Sequence, residues 1–223
     1  PAFAYEIAVI IEDGIRRMYT EGESIFYYIT VMNEMYEMPS MPDGARDGIL
    51  KGMYRVRAAA KKSSKLRAYL LGSGAILNEV LAAQQILADD YQVAADVWSV
   101  TSYQELYRDG HAAERWNRTH PLEKPRVPYV TQCLGKADGA IVAASDYVRA
   151  LPDTIDRWLP RPLTSLGTDG FGRSESRASL RDFFEVDAKY IAVSALAALA
   201  RDGALDAKVV EKAIKDLGIN PDK

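Results

Sequence analysis

In the stretch GTDGFGRS, residues 167–174, Asp169, Phe171 and Arg173 alternate with glycines. An aspartate in such a turn accepts from backbone N–H groups. Gly170 and Gly172 permit positive φ or close approach of another chain, and Arg173 presents five donors in a rigid fork. Phe171 is the right shape to plug an apolar gap. The stretch follows PLTSLG, which reads as a parallel strand, so the loop belongs at the carboxyl end of a sheet. Open α/β folds place ligands there, and subunits often meet there. These residue types favour an interface or loop-ordering role for Asp169, Phe171 and Arg173 over direct contact with substrate or cofactor.

Other chemistry is sparse. The two histidines, His111 and His120, lack HxxxH or HExxH spacing, and Cys133 has no second cysteine, so neither a metal centre nor an internal disulfide is readable. His120, beside Pro121 in RWNRTHPLE, is a candidate contact just past a helix; a loop histidine bonded to backbone is the plainer reading. G-x-S-x-G is absent. GSG at 72–74 sits between a strand and a helix, where an anion can bind. The dinucleotide pattern fails at Leu77, which favours a simple turn. Phe26, Tyr27 and Tyr28 can line a cofactor pocket, but strand packing explains them as well.

The elements that must position these groups follow from periodicity. Apolar residues Ala4, Ile7, Ala8, Ile11, Ile15 and Met18 mark a helix over 3–19. IFYYITV, 25–31, predicts a strand covered on both faces. Residues 33–48 read as irregular, punctuated by prolines and glycines. A strand–helix rhythm then begins, with strands at 66–72, 93–100, 139–145 and 162–167. Thr101 or Ser102, Ser174 or Ser176, Asp187 and Asp206 are candidate helix caps. The predicted fold class is α/β: a mostly parallel sheet with helices on both faces, preceded by a helix–strand remnant of a second α/β domain.

Composition sets bounds. The chain has 223 residues, 48% hydrophobic content and net charge −3 from 28 basic and 31 acidic side chains. That balance provides no general field for nucleic acid. The basic run Lys61, Lys62, Lys65 and Arg67 reads as a solvated linker. No apolar run approaches the roughly 18 residues of a membrane span, so neither membrane nor nucleic acid is an expected partner. A chain that opens mid-helix on Pro1 reads as a piece of a longer protein.

Several stretches together carry a resemblance: PAFAYEIAVIIEDGIRRMY, FYYITVMNE, MPDGARDGILKGMY, LLGSGAILNEVLAA, DVWSVTSYQEL, RWNRTHPLEKPRVPYV, LGTDGFGRSESRASLRDFFEVD and KVVEKAI. The chain resembles the C-terminal portion of the homodimeric bacterial pyruvate dehydrogenase E1 family, among the transketolase-like thiamin diphosphate enzymes. The resemblance implies three divisions: residues 1–50 as the end of the middle, pyrimidine-binding domain, 51–63 as linker, and 64–223 as a transketolase-like C-terminal domain. It implies thiamin diphosphate and Mg²⁺ as cofactors of the intact enzyme and a cytoplasmic homodimer. The implied partner is the dihydrolipoyl acetyltransferase, E2. The family's GDG…N metal motif has no counterpart here, since DGFG lacks the downstream Asn. The pyrimidine-activating glutamate and active-site histidines fall upstream of Pro1. No residue of this chain is therefore expected to be catalytic. Tyr27, Tyr28, Asn33, Glu34 and His120 are expected peripheral contacts, and Asp169, Phe171 and Arg173 interface or ordering residues. A transketolase-type enzyme acting on sugar phosphates and a noncatalytic α/β interaction domain are the alternatives.

Overall fold

The computed structural model describes residues 1–60 and 65–223. Helix α1 (Ala4–Ile15) runs into a π-turn, Arg16–Thr20. After a long segment without helix or strand come α2 (Ala45–Lys51) and β1 (Met53–Arg57). The rhythm continues with β2 (Arg67–Gly72), α3 (Ile76–Asp90), β3 (Ala94–Val100), α4 (Tyr103–Thr119) and α5 (Tyr129–Leu134). Next are β4 (Ala140–Ala144), α6 (Ala150–Asp153), a 3₁₀ turn at Asp156–Trp158 and β5 (Leu163–Leu166). The chain ends in α7 (Arg177–Phe183), α8 (Ala188–Arg201) and α9 (Ala207–Asp216).

The sheet order is β1-β3-β2-β4-β5. β1 pairs antiparallel with β3, and the other neighbours are parallel. Helices cover both faces, as expected, because each strand alternates its side chains between two cores. On β4, Ala140, Val142 and Ala144 enter a core with residues of α3 and α8, whereas Ile141 and Ala143 enter one with Leu106 of α4 and Val130 of α5. The caps follow the expected chemistry. Ser102, Ser176, Asp187 and Asp206 accept from the first free N–H groups of α4, α7, α8 and α9.

Gly110 in α4 shows what close packing demands. A methyl group there would lie 2.5 Å from the Trp158 indole. Helix propensity favours Ala over Gly by about 1 kcal/mol, but overpacking a rigid ring costs ~1–3 kcal/mol. Gly110→Ala is therefore expected to lower the melting temperature; a rise would mean that Trp158 moves aside freely.

Three expectations are corrected. Residues 25–31 form no strand. Ile25, Tyr27 and Ile29 are half-buried while Phe26, Tyr28 and Thr30 are exposed, and the segment joins no sheet. Its β-branched and aromatic residues suit a strand, but a strand needs neighbours to pair its backbone. The stretch read as irregular closes with α2, whose ends are set by Gly44 and Gly52 at positive φ. Lys61 and Lys62 of the basic run lie outside the described residues. Arg67 is not a linker residue: it sits in β2, 3.4 Å from Asp96.

The N-terminal helix is bound into the larger body through a buried charge. Ala2 and Phe3 join the core that holds Leu70, Ile76 and Leu196. Glu6 is fully buried. Its Oε2 accepts from the backbone N–H of Phe3 at 3.0 Å and from that of Ala2. Its Oε1 accepts from the Tyr54 hydroxyl and the Ser99 hydroxyl, each at 2.6 Å. One carboxylate thus links α1 to β1 and β3. Burial and the adjacent Glu6 charge push the Tyr54 phenol well above its ordinary range, so it stays a donor.

Candidate functional site

The sequence-derived candidates separate into three places. Asn33 and Glu34 meet the carboxyl end of the sheet through α7. Ser176 caps this short helix, and its Arg177 and Arg181, four residues apart, share one face. Arg177 Nη2 donates to Asn33 Oδ1 at 2.9 Å and to the Asn33 carbonyl at 3.2 Å. Arg181 Nη2 donates to Glu34 Oε2 at 2.6 Å, and its Nη1 to Glu79 Oε1 at 3.1 Å. The other oxygen of Glu79 accepts the Ala188 N–H at 3.1 Å, at the start of α8. Arg181 therefore connects the N-terminal segment to the first turns of α3 and α8.

Beside it, at the end of β4, lies Asp146. Burial raises its carboxyl above the ordinary range, and the Arg181 charge only partly offsets this. Asp146, Arg173, Arg181, Leu180 and Phe184 line an open cleft of about 360 Å³.

The GTDGFGRS loop forms the rim. Asp169 Oδ1 accepts the Arg149 backbone N–H at 2.9 Å and Oδ2 accepts Arg149 Nε at 2.5 Å. These bonds hold its carboxyl below the usual carboxylate range. Asp169 thus ties the loop after β5 to the loop after β4. Arg173 lies over the Phe183 ring, 4.3 Å from its centroid. Phe171 plugs nothing within this chain, being 96% exposed.

Tyr27 and Tyr28 are not brought to this place. The Tyr27 hydroxyl donates to Asp13 Oδ2 at 2.7 Å and accepts from Arg17 Nη1 at 3.1 Å, which pins the segment to α1. Tyr28 is 86% exposed. His120 ends α4, in the opposite helix layer, and stacks on Trp116.

The GSG turn is structural. Ser73 Oγ donates to the Val100 carbonyl at 3.0 Å, and a Cβ at Gly72 would lie 2.9 Å from Leu77. Among the described residues no group of three or more His, Cys, Asp or Glu side chains is placed to hold a metal ion. With no such donor set among the described residues, and with the GSG turn closed by its own contacts, these residues do not fit a magnesium-bound diphosphate.

Arg177, Arg181, Glu79 and Glu6 were not singled out from the sequence. The i, i+4 spacing of Arg177 and Arg181 just after the glycine loop was a usable signal. Their partners, 102 to 147 residues away, left none.

Residues 52–187 match the family model described as the transketolase-like TK C-terminal domain. Residues 1–39 match the model for the pyruvate dehydrogenase E1 component middle domain. The whole chain is similar to the pyruvate dehydrogenase E1 component of Pseudomonas aeruginosa, with 51% identity over 224 residues. It is equally similar to that of Escherichia coli K12, with 51% identity over 225 residues. In each case all of this chain is covered but only 25% of the relative, so the chain spans about a quarter of their length. With a mostly parallel sheet covered on both faces and a family match over more than half its residues, the chain belongs to the transketolase-like family, the greater part of it as that family's C-terminal domain.

Proposed function

We propose that this chain is the C-terminal quarter of a pyruvate dehydrogenase E1 component. That enzyme decarboxylates pyruvate with thiamin diphosphate and Mg²⁺ and passes the acetyl unit to the lipoyl group of the E2 dihydrolipoyl acetyltransferase. The identity over the full chain supports the reading. In it, residues 1–50 end the middle domain, 64–223 are the C-terminal domain, and the protein is a cytoplasmic homodimer. Of the residues 51–63 expected as linker, Met53–Arg57 form β1 of the C-terminal domain's sheet. The cofactors are held by parts of the enzyme beyond this chain.

What this chain contributes is order at a junction. The observation that carries this is the bridge from Glu34 through Arg181 to Glu79. It holds residues 33–34 against the sheet's carboxyl end while Asp169 holds the adjoining loop. Phe171, flanked by glycines and almost wholly exposed, is the group this loop offers to a neighbouring subunit or domain. In the full-length enzyme Phe171→Asp is expected to weaken dimerisation. Losing one buried aromatic anchor costs about 2 kcal/mol, or roughly 30-fold in the dimer dissociation constant. Analytical ultracentrifugation and pyruvate turnover with an artificial electron acceptor check it. Unchanged association and turnover for both Phe171→Asp and Arg173→Ala would remove the loop from the interface.

A further inference from the structure

The motif RWNRTHPLEKPRVP, residues 115–128, takes no part in the junction above. It forms the end of α4 and the loop that follows, exposed from Pro121 to Val127. The loop is nevertheless fixed. The His120 ring stacks on Trp116 at 3.7 Å with an 8° interplanar angle. Arg126 Cζ lies 3.5 Å from the same centroid. Two flat groups that close must occupy opposite faces of the indole. Asn117 closes the loop from both sides, accepting from the Arg126 N–H at 2.7 Å and donating to the Arg126 carbonyl at 2.9 Å. Pro121, Pro125 and Pro128 restrict φ at three more positions.

This rigid loop presents Leu122, 99% exposed. The same stretch carries Arg115, Arg118, Lys124 and Arg126, all exposed, with Glu123 its one acid. Among the described residues none of the four cations forms an ion pair, although most arginines elsewhere do. A local excess of positive charge, in a stretch with one acid, makes a field that attracts an acidic partner. The prearranged backbone lowers the ordering cost of binding.

We propose that residues 115–128 are a docking surface for an acidic, partly apolar segment of a partner protein, with Leu122 as the apolar anchor and the four cations as the charged rim. Nucleic acid fits less well. Single-strand binders offer open aromatic faces for base stacking, and both faces of Trp116 are taken.

The test uses the full-length protein and a fluorescein-labelled peptide of alternating glutamate and alanine with one central phenylalanine. Fluorescence anisotropy is expected to show saturable binding that weakens as salt rises. Arg115→Glu with Arg118→Glu should weaken it at least tenfold, and Leu122→Asp severalfold, while Lys208→Glu on α9 leaves it unchanged. These side chains are exposed, so thermal unfolding of each variant should match the parent. No peptide binding by the parent protein overturns the proposal. So does equal loss in the α9 variant, equal binding of the glutamine-for-glutamate peptide, or tighter binding of a single-stranded oligonucleotide.

Discussion

Glu6→Ala is expected to destabilise this protein strongly. The carboxylate is fully buried and accepts four hydrogen bonds, from Ala2, Phe3, Tyr54 and Ser99. Removing it strands two backbone N–H groups and two hydroxyls in a core that water does not reach. A buried donor without a partner costs ~1–3 kcal/mol. The hydroxyls can turn to other acceptors and the amides cannot, so a net loss of about 3–5 kcal/mol is expected, similar to breaking a buried charged pair. Glu6→Gln discriminates the mechanism. Its carbonyl oxygen can serve the two amides while its NH₂ meets the hydroxyls, which can also accept. It should therefore recover most of the stability. Urea unfolding measures both variants. A Glu6→Ala loss below about 1 kcal/mol would mean that the four donors find other partners.

The second large effect is at Arg181. Its guanidinium sits between Glu34 and Glu79 with its side chain 16% exposed. Arg181→Ala leaves two carboxylates facing each other beside Asp146. Breaking a fully buried pair costs ~3–5 kcal/mol; solvent access here reduces that to about 2–3 kcal/mol at neutral pH. The loss should depend on pH in a definite direction. The folded Asp146 carboxyl is already raised by burial, with Arg181 opposing the rise. Without Arg181 it rises further. A carboxyl whose folded value lies above the unfolded one contributes stability that is present below the unfolded value and lost as pH climbs through the folded one. The deficit of Arg181→Ala relative to the parent should therefore shrink on acidification from neutral pH toward the unfolded value near 4. Arg181→Lys, which keeps the charge but not the fork between two carboxylates, should fall between. A deficit that is flat or grows on acidification contradicts this account. In the full-length protein the same variant should loosen residues 33–34, read as faster hydrogen exchange there.

What the sequence determined by itself is the local and periodic part. The four parallel strands, the helices between them and the caps at Asp187 and Asp206 follow from short apolar runs, 3.6-residue spacing and short-range capping bonds, all encoded within a few neighbouring residues. The choice of Ser102 over Thr101 and of Ser176 over Ser174 came from the fold. The make-up of the GTDGFGRS loop was legible because its glycines and charges lie side by side. Tertiary structure alone decided the rest. IFYYITV has the residues of a strand yet is none, because pairing depends on a neighbour and not on the segment. MYRVR became the antiparallel edge strand β1 because β3 had a free side to pair with. Glu34 and Arg181 stand 147 residues apart, and Glu6 and Ser99 93 residues apart. No spacing rule relates such positions. Only the folded chain brings them within hydrogen-bonding distance, and burial then turns two ordinary glutamates and one arginine into the groups that hold the N-terminal segment to the sheet.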